Sequence, residues 1–273
     1  YWGHMNLRER VDRFFIAQFE GLPLDQADEM DILEANGSVN FGSNKAYRAM
    51  LKKIKAGSPA TNPDDLQYIL DNVDVDNLFE YMALEMFVGN SDIGNIRYYR
   101  LHQEGSKWKW IWYDADYGLY SSKFNSPWSY LKVKGMGEQK IDNTIFLKLL
   151  EHPDYKRKFL EKLADVYKTF TTEYMTQVLD GVLAEIQPEM KNHWERWGEL
   201  NDKAVTSEVP TTIDGAYTYW ESRVNRLYNT LKVRPHRLWD FIKDEFKLTK
   251  TEMEELFGPQ PDYPDDAGGH HNN

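Results

Sequence analysis

The chain contains no cysteine. Disulfides, thiolate-bound metals and cysteine nucleophiles are therefore excluded. No apolar run approaches the roughly 20 residues that cross a bilayer as a helix. Positive charge is also scarce: 33 Lys and Arg stand against 44 Asp and Glu, a net charge of −11. Such a surface repels nucleic acid and anionic lipid at long range, so neither is expected as a main partner. A glycine-rich phosphate loop is missing as well, because Gly37-Ser38-Val39-Asn40-Phe41-Gly42 does not keep the spacing of one. What the chain does have is aromatic side chains, with 9 Trp, 17 Tyr and 13 Phe in 273 residues. These bury large areas and support a core without cross-links.

Periodicity divides the chain into a mixed front half and a helical back half. Residues 1–7 read as an edge strand, and 8–20 as an amphipathic helix carrying Val11, Phe14, Phe15 and Phe19. Residues 24–42 are polar and broken by Gly and Asn, which predicts a loop with one short strand at 31–34. Helices are expected at 45–55, after Asn62-Pro63-Asp64-Asp65, and at 76–88, where nearly every residue is apolar. The period then changes to two. Residues 97–102 and 107–113 are strand-like runs joined by Gln103-Glu104-Gly105-Ser106, and Trp108, Trp110 and Trp112 alternate with Lys109, Ile111 and Tyr113. A surface loop is expected over 121–140. Helices follow at 145–151, 155–169, 173–197, 212–231 and, beyond Pro235, 236–246. A last short helix is expected at 249–256, with a disordered tail after 258. His193, Trp194 and Trp197 share one helical face and read as packing.

Acidic and amide side chains gather at both ends of the 97–113 hairpin. Asn90, Asp92 and Asn95 precede it, and Asp114 and Asp116 follow it. A hairpin brings its ends together, so Asp92 and Asn95 should face Asp114 or Asp116 across a small gap. Hard oxygen ligands in such a place suit Mg²⁺ or Mn²⁺. Asx residues at strand ends also serve as turn formers and caps. As a set, however, these four side chains favour a metal site. The order matches the logic of kinase sites, in which an Asp addresses the acceptor hydroxyl and an Asn binds a metal. A hairpin there leads on to an Asp-aromatic-Gly turn, for which Asp116-Tyr117-Gly118 is a candidate. The Asp-to-Asn spacing here is three, against roughly five in ordinary protein kinases.

Several blocks resemble the CotH kinases. Gly89-Asn90-Ser91-Asp92 with Asn95 and Arg97 is one, and Trp110-Ile111-Trp112-Tyr113-Asp114-Ala115-Asp116-Tyr117-Gly118 is another. Tyr1-Trp2-Gly3 with Asn6-Leu7-Arg8-Glu9-Arg10-Val11-Asp12, His193-Trp194-Glu195-Arg196-Trp197 and Arg234-Pro235 are similar to further blocks of that family. The resemblance implies an α+β, mostly helical, atypical protein-kinase-like fold. Its domain would span 1–248, with 1–42 as the remnant of an N-lobe and linker, 43–248 as a helical C-lobe around the 97–113 hairpin, and 249–273 as terminal helix and tail. It implies ATP and Mg²⁺ or Mn²⁺, and a secreted or surface protein as the Ser/Thr substrate. By the same resemblance Asp92 is the catalytic Asp, Asn95 a metal ligand, and Asp114 and Asp116 share the metal-binding role. Arg8 and Glu9 are candidates for contacting nucleotide. Most of an N-lobe, and a signal peptide, are expected upstream of Tyr1. Two other readings stand beside this one: a catalytically weak or inactive CotH-like structural or binding protein of a cell surface or coat, and a metal-dependent hydrolase on the same carboxylates.

Overall fold

The computed structural model describes residues 2–5, 7–90, 92, 94–120, 141–204 and 212–264. The expected loop at 121–140 and most of the expected tail, from 265 onward, lie outside them. The described residues form ten α-helices and one four-stranded antiparallel sheet, a mostly helical α+β chain.

The first strand expected from the sequence is not formed. Residues 2–5 and 7 have no regular structure. Their polar groups go instead to a distant helix: the Trp2 carbonyl accepts from the Trp197 indole at 2.9 Å, and the His4 N–H donates to His193 Nδ1 at 3.0 Å. His193 and Trp197 are thus packing residues, as their spacing suggests. Gly3, at φ 89°, lies so close to Trp197 that a Cβ there would overlap the indole. Helix α1 (Arg13–Phe19) begins later than the apolar spacing predicts, because Asp12 caps it. The Asp12 carboxylate accepts from the N–H groups of Phe14 and Phe15, and its own backbone is extended.

The hairpin is half of a larger sheet. Strands β1 (Met30–Glu34), β2 (Ser38–Phe41), β3 (Arg97–Leu101) and β4 (Lys109–Ile111) lie in the order β2-β1-β3-β4. Residues 24–42 therefore supply two strands rather than one. The sheet is covered on both faces, which explains its side-chain alternation. Met30, Ile32, Tyr99 and Leu101 pack with Ile16 and Ala17 of α1. Leu33, Tyr98, Trp108 and Trp110 join the main core on the opposite face.

That core is built by α2 (Lys45–Ala56), α3 (Pro63–Asn72), α4 (Val75–Val88), α5 (Thr144–Leu150) and α6 (Pro153–Thr169), and Leu238, Trp239, Ile242, Phe246, Met253, Leu256 and Phe257 from late in the chain complete it. Asn62 caps α3 through its side chain, with Pro63 in the first turn. Helix α4 is buried nearly all round, as its composition predicts. Phe79 meets Phe159 and Phe146 edge-on at 5.4 and 6.0 Å, and each such pair adds about 0.5–1.5 kcal/mol beyond area burial. One polar residue of α4 closes the outer edge of the sheet. The Asn77 side chain accepts from the Trp110 N–H at 2.6 Å and donates to the Trp110 carbonyl at 3.1 Å, as a neighbouring strand would. The α3–α4 link does the same for Trp108 through Asn72 and Asp74.

Helices α7 (Thr172–Ile186), α8 (Met190–Ala204), α9 (Ile213–Phe246) and α10 (Lys250–Phe257) complete the described chain. The single helix expected over 173–197 is interrupted by a 3₁₀ turn, Gln187–Glu189, that contains Pro188. The break expected at Pro235 is not there. Helix α9 runs 34 residues with Pro235 inside it. The missing proline N–H would have bonded the Leu231 carbonyl. The Thr172 hydroxyl donates to that carbonyl instead, at 3.0 Å, and Tyr167 donates to the Pro235 carbonyl at 3.2 Å. Side chains from neighbouring helices thus satisfy the backbone at the point where the local sequence predicts a stop.

Candidate functional site

Helix α4 ends at Gly89, whose left-handed backbone (φ 64°, ψ 41°) turns the chain out of the helix. The last four carbonyls of a helix lack intrahelical partners, and here all four are satisfied. Glu85 takes the N–H groups of Gly89 and Asn90 at 3.0 and 3.3 Å. Val88 takes the Leu119 N–H at 2.6 Å. Met86 and Phe87 take the guanidinium of Arg234, at 2.7 and 2.9 Å. Arg234 projects from α9 and is only 1% exposed. Burial lowers its pKa to about 10, so it stays charged at neutral pH, at the negative end of the α4 dipole.

The segment released by Gly89 is held just as closely. Asn90 is buried, and its side-chain oxygen accepts the Asp92 N–H at 3.0 Å, an Asx-type turn. Asp92 and Asn95 are half-buried. The Asn95 amide nitrogen donates to Asp92 Oδ2 at 3.1 Å and to Asp114 Oδ2 at 2.8 Å. One amide thus ties together two carboxylates from opposite ends of the hairpin. Asp114 sits at φ 55°, a backbone region that few non-glycine residues adopt, and the chain bends sharply there. It then folds back onto α4, with the Gly118 N–H donating to the Ala115 carbonyl at 2.8 Å. A Cβ at Gly118 would stand 2.9 Å from Val88 Cγ2 and 2.8 Å from the Ala115 oxygen, so the turn depends on glycine.

The structure brings together three of the residues singled out in the sequence: Asp92, Asn95 and Asp114. Asp116 is exposed on the following turn and lines a separate cleft with Tyr117 and Tyr120. Arg8 and Glu9 are exposed in the irregular segment ahead of α1 and take no part in the contacts that join the trio.

Two residues of this region are not evident from local sequence. Arg234 is one; only its place beside Pro235 marks it. Glu85 is the other, a carboxyl 2% exposed in the interior of α4 with Oε2 lacking a hydrogen-bond partner. Burial raises its pKa to about 7. Asn90, Trp112 and Tyr81 lie beside it and oppose that rise, while the charge of Asp92 adds to it. Its one sequence signal is an acid set between Leu84 and Met86-Phe87-Val88, in the apolar last turn of the helix.

Among the described residues, no three His, Asp or Glu side chains converge as metal ligands. The local donor set is two carboxylates and an amide. A half-turn of the Asn95 side chain would present its oxygen in place of its nitrogen, making all three hard oxygen donors. Mg²⁺ and Mn²⁺ accept such a set, because they keep water and phosphate oxygens as their remaining ligands. The residues therefore fit a divalent cation.

No curated protein and no solved structure matches this chain. Residues 17–238, most of its length, match the family described as CotH kinase protein.

Proposed function

We propose that this chain, a member of the CotH kinase protein family, transfers the γ-phosphate of ATP to Ser or Thr hydroxyls of a protein. The observation that carries the reading is the Asn95 amide holding Asp92 and Asp114 within reach of one another. A family of this kind uses ATP and a divalent metal in general and acts on a protein substrate. The fold is proposed to be an atypical kinase-like one, with the domain spanning 1–248. The substrate is proposed to be a secreted or surface protein.

In this scheme Asp92 accepts a hydrogen bond from the acceptor hydroxyl and takes its proton as the bond to phosphorus forms. Asn90 fixes the backbone of Asp92, so the carboxylate is aimed before substrate arrives. Asp114 and Asn95 would hold the cation, and Asp116, on the same turn but lining a separate cleft, is proposed to share that role once the turn moves toward it. A divalent cation bound there supplies neutralisation of the phosphoryl charge. Catalysis of this kind rests on positioning and electrostatics rather than on covalent chemistry by the protein. Val88 and Leu119 serve that positioning, because their hydrogen bond ties the turn bearing Asp116 to the helix that launches Asp92.

The test is phosphate incorporation from ATP with Mn²⁺ into a Ser-rich peptide, comparing the wild type with Asp92→Asn. The substitution keeps the shape of the side chain and removes its basicity. Loss of a general base lowers the rate by about 10²–10⁴-fold. Equal incorporation by the two proteins would refute the role of Asp92. If ATP and Mn²⁺ bind tightly in calorimetry but no phosphate is transferred by either, the alternative of a CotH-like binding protein of a surface or coat holds instead.

A further inference from the structure

Glu85 touches both arms of the chain that meet at Asn95. It lies in the last turn of α4, and its carbonyl accepts the Asn90 N–H at 3.3 Å. Its buried side chain is hydrogen-bonded by those of Asn90, Trp112 and Tyr81. Each of these has a proton to give: the Asn90 amide, the Trp112 indole N–H, and the Tyr81 hydroxyl, which burial keeps protonated. Two of the three belong to the arms themselves. Asn90 opens the segment that leads to Asp92, and Trp112 follows β4 two residues before Asp114. The Asn90 contact carries a direction as well. Its side-chain oxygen accepts the Asp92 N–H at 3.0 Å, so its nitrogen faces the other way. Asn90 is as buried as Glu85, so that nitrogen needs an acceptor inside the protein, and the carboxyl supplies one. A reversed amide would set oxygen against oxygen at Glu85 and donor against donor at Asp92. The arrangement is costly: among the described residues no donor reaches Glu85 Oε2. A residue that only filled the core would carry no such cost.

We infer that Glu85 is a positioning residue of the site, a buried acceptor that sets the Asp92 and Asp114 arms in the register at which Asn95 can bond both carboxylates. The inference rests on the reading of that trio as a phosphoryl-transfer centre, and it names the interior group that holds the trio in place. Glu85 acts through Asn90 on one arm and through Trp112 on the other. The Asn95 amide and the Glu85 carboxyl thus join the same two arms at two levels, one at the carboxylates and one at the end of α4.

Glu85→Met and Glu85→Gln in the full chain decide the matter at pH 6. Met fills similar space with no acceptor oxygen, whereas Gln keeps one. The first readout is the side-chain NH₂ resonances of Asn95 in protein labelled with ¹⁵N-asparagine, assigned by their loss in Asn95→Ser; it needs neither nucleotide nor turnover. In Glu85→Met these signals are expected to move toward those of a free amide and to exchange faster with solvent, and in Glu85→Gln to stay near the wild type. The second readout is phosphate incorporation. Glu85→Met is expected to lower kcat about 10–100-fold with the KM for ATP unchanged, since a misplacement of about 1 Å costs up to about 10²-fold, and Glu85→Gln to restore most of it. A folded Glu85→Met with wild-type Asn95 signals and kcat overturns the inference: Glu85 would then serve stability alone. So does a Glu85→Gln that loses as much as Glu85→Met, because an acceptor oxygen would not be what matters. Should Glu85→Met not fold, Trp112→Phe, at a residue 42% exposed, removes one donor to Glu85, and unchanged Asn95 signals there overturn the inference equally. Displaced Asn95 signals in variants of a chain whose wild type transfers no phosphate leave the inference standing and remove the kinase reading.

Discussion

Replacing Arg234 with Met tests whether the end of α4 is held by one buried cation. Met has similar length and no donors. The substitution removes two charge-assisted hydrogen bonds, to Met86 and Phe87, worth about 1.5–3 kcal/mol each. It also removes a favourable charge at the helix C-terminus, about 1 kcal/mol in a buried setting. Against this stands the desolvation of the guanidinium, which lowers its pKa from 12.5 to about 10 and amounts to about 3 kcal/mol. The net loss is therefore about 1–4 kcal/mol. For a domain of this size that corresponds to a fall in Tm of several degrees, at about 2–4 °C per kcal/mol. Urea denaturation gives the stability directly. Phosphate incorporation, assayed well below the lowered Tm, separates positioning from folding. If Arg234 aims the segment from Gly89 to Asp92, kcat falls in the folded variant, and Arg234→Lys, which keeps the charge and a donor, recovers part of it. A variant with the full stability loss and wild-type kcat at low temperature would show that Arg234 only holds the fold together. An unchanged urea midpoint would refute the energetic argument itself.

Glu85 gives a pH signature. Its folded pKa of about 7 lies above the ordinary 4.5, so the folded state binds a proton that the unfolded state has released. Its contribution is fully present below pH 4.5 and lost as pH rises through 7, about 3 kcal/mol in all. Glu85→Gln, which cannot ionise, should differ from the wild type in urea by less than about 1 kcal/mol at pH 5 and exceed it by about 3 kcal/mol at pH 8; identical curves at pH 8 exclude the shift. At the α7–α9 contact, Thr172→Val strips the Leu231 carbonyl of its donor and should cost about 1 kcal/mol. Adding Pro235→Ala returns an N–H to that same carbonyl and should recover the loss, so additive effects in the double-mutant cycle would contradict the account of the proline.

Much of the fold is legible where local chemistry and tertiary packing agree. Asn62-Pro63 starts α3, Gly89 ends α4, and the Trp108–Trp110 alternation marks β4 with both indoles buried. Strand β2 is illegible because Ser38, Val39 and Asn40 are exposed on an outer strand, so burial imprints no pattern on them. The run through Pro235 is illegible for a different reason: the donor that rescues Leu231 lies 59 residues away in sequence. At the site, a hairpin's tendency to join its own ends makes the meeting of Asp92, Asn95 and Asp114 readable. That Asp114 rather than Asp116 bonds Asn95 is not readable, because the bend at Asp114, with its φ of 55°, has no local signal in the sequence. The start of the first helix is not readable from the apolar spacing either: it begins only after the Asp12 cap, leaving Arg8 and Glu9 ahead of it.

The Asn77 side chain has a consequence for self-association. By pairing with Trp110 it occupies the outer edge of β4, while β2 forms the opposite border of the sheet with Ser38, Val39 and Asn40 exposed. A second copy can add a strand only at β2, and a pair joined there through their β2 strands has both remaining borders sealed. Among the described residues, growth of this sheet by strand addition therefore stops at two molecules: the sheet has a terminus built into it.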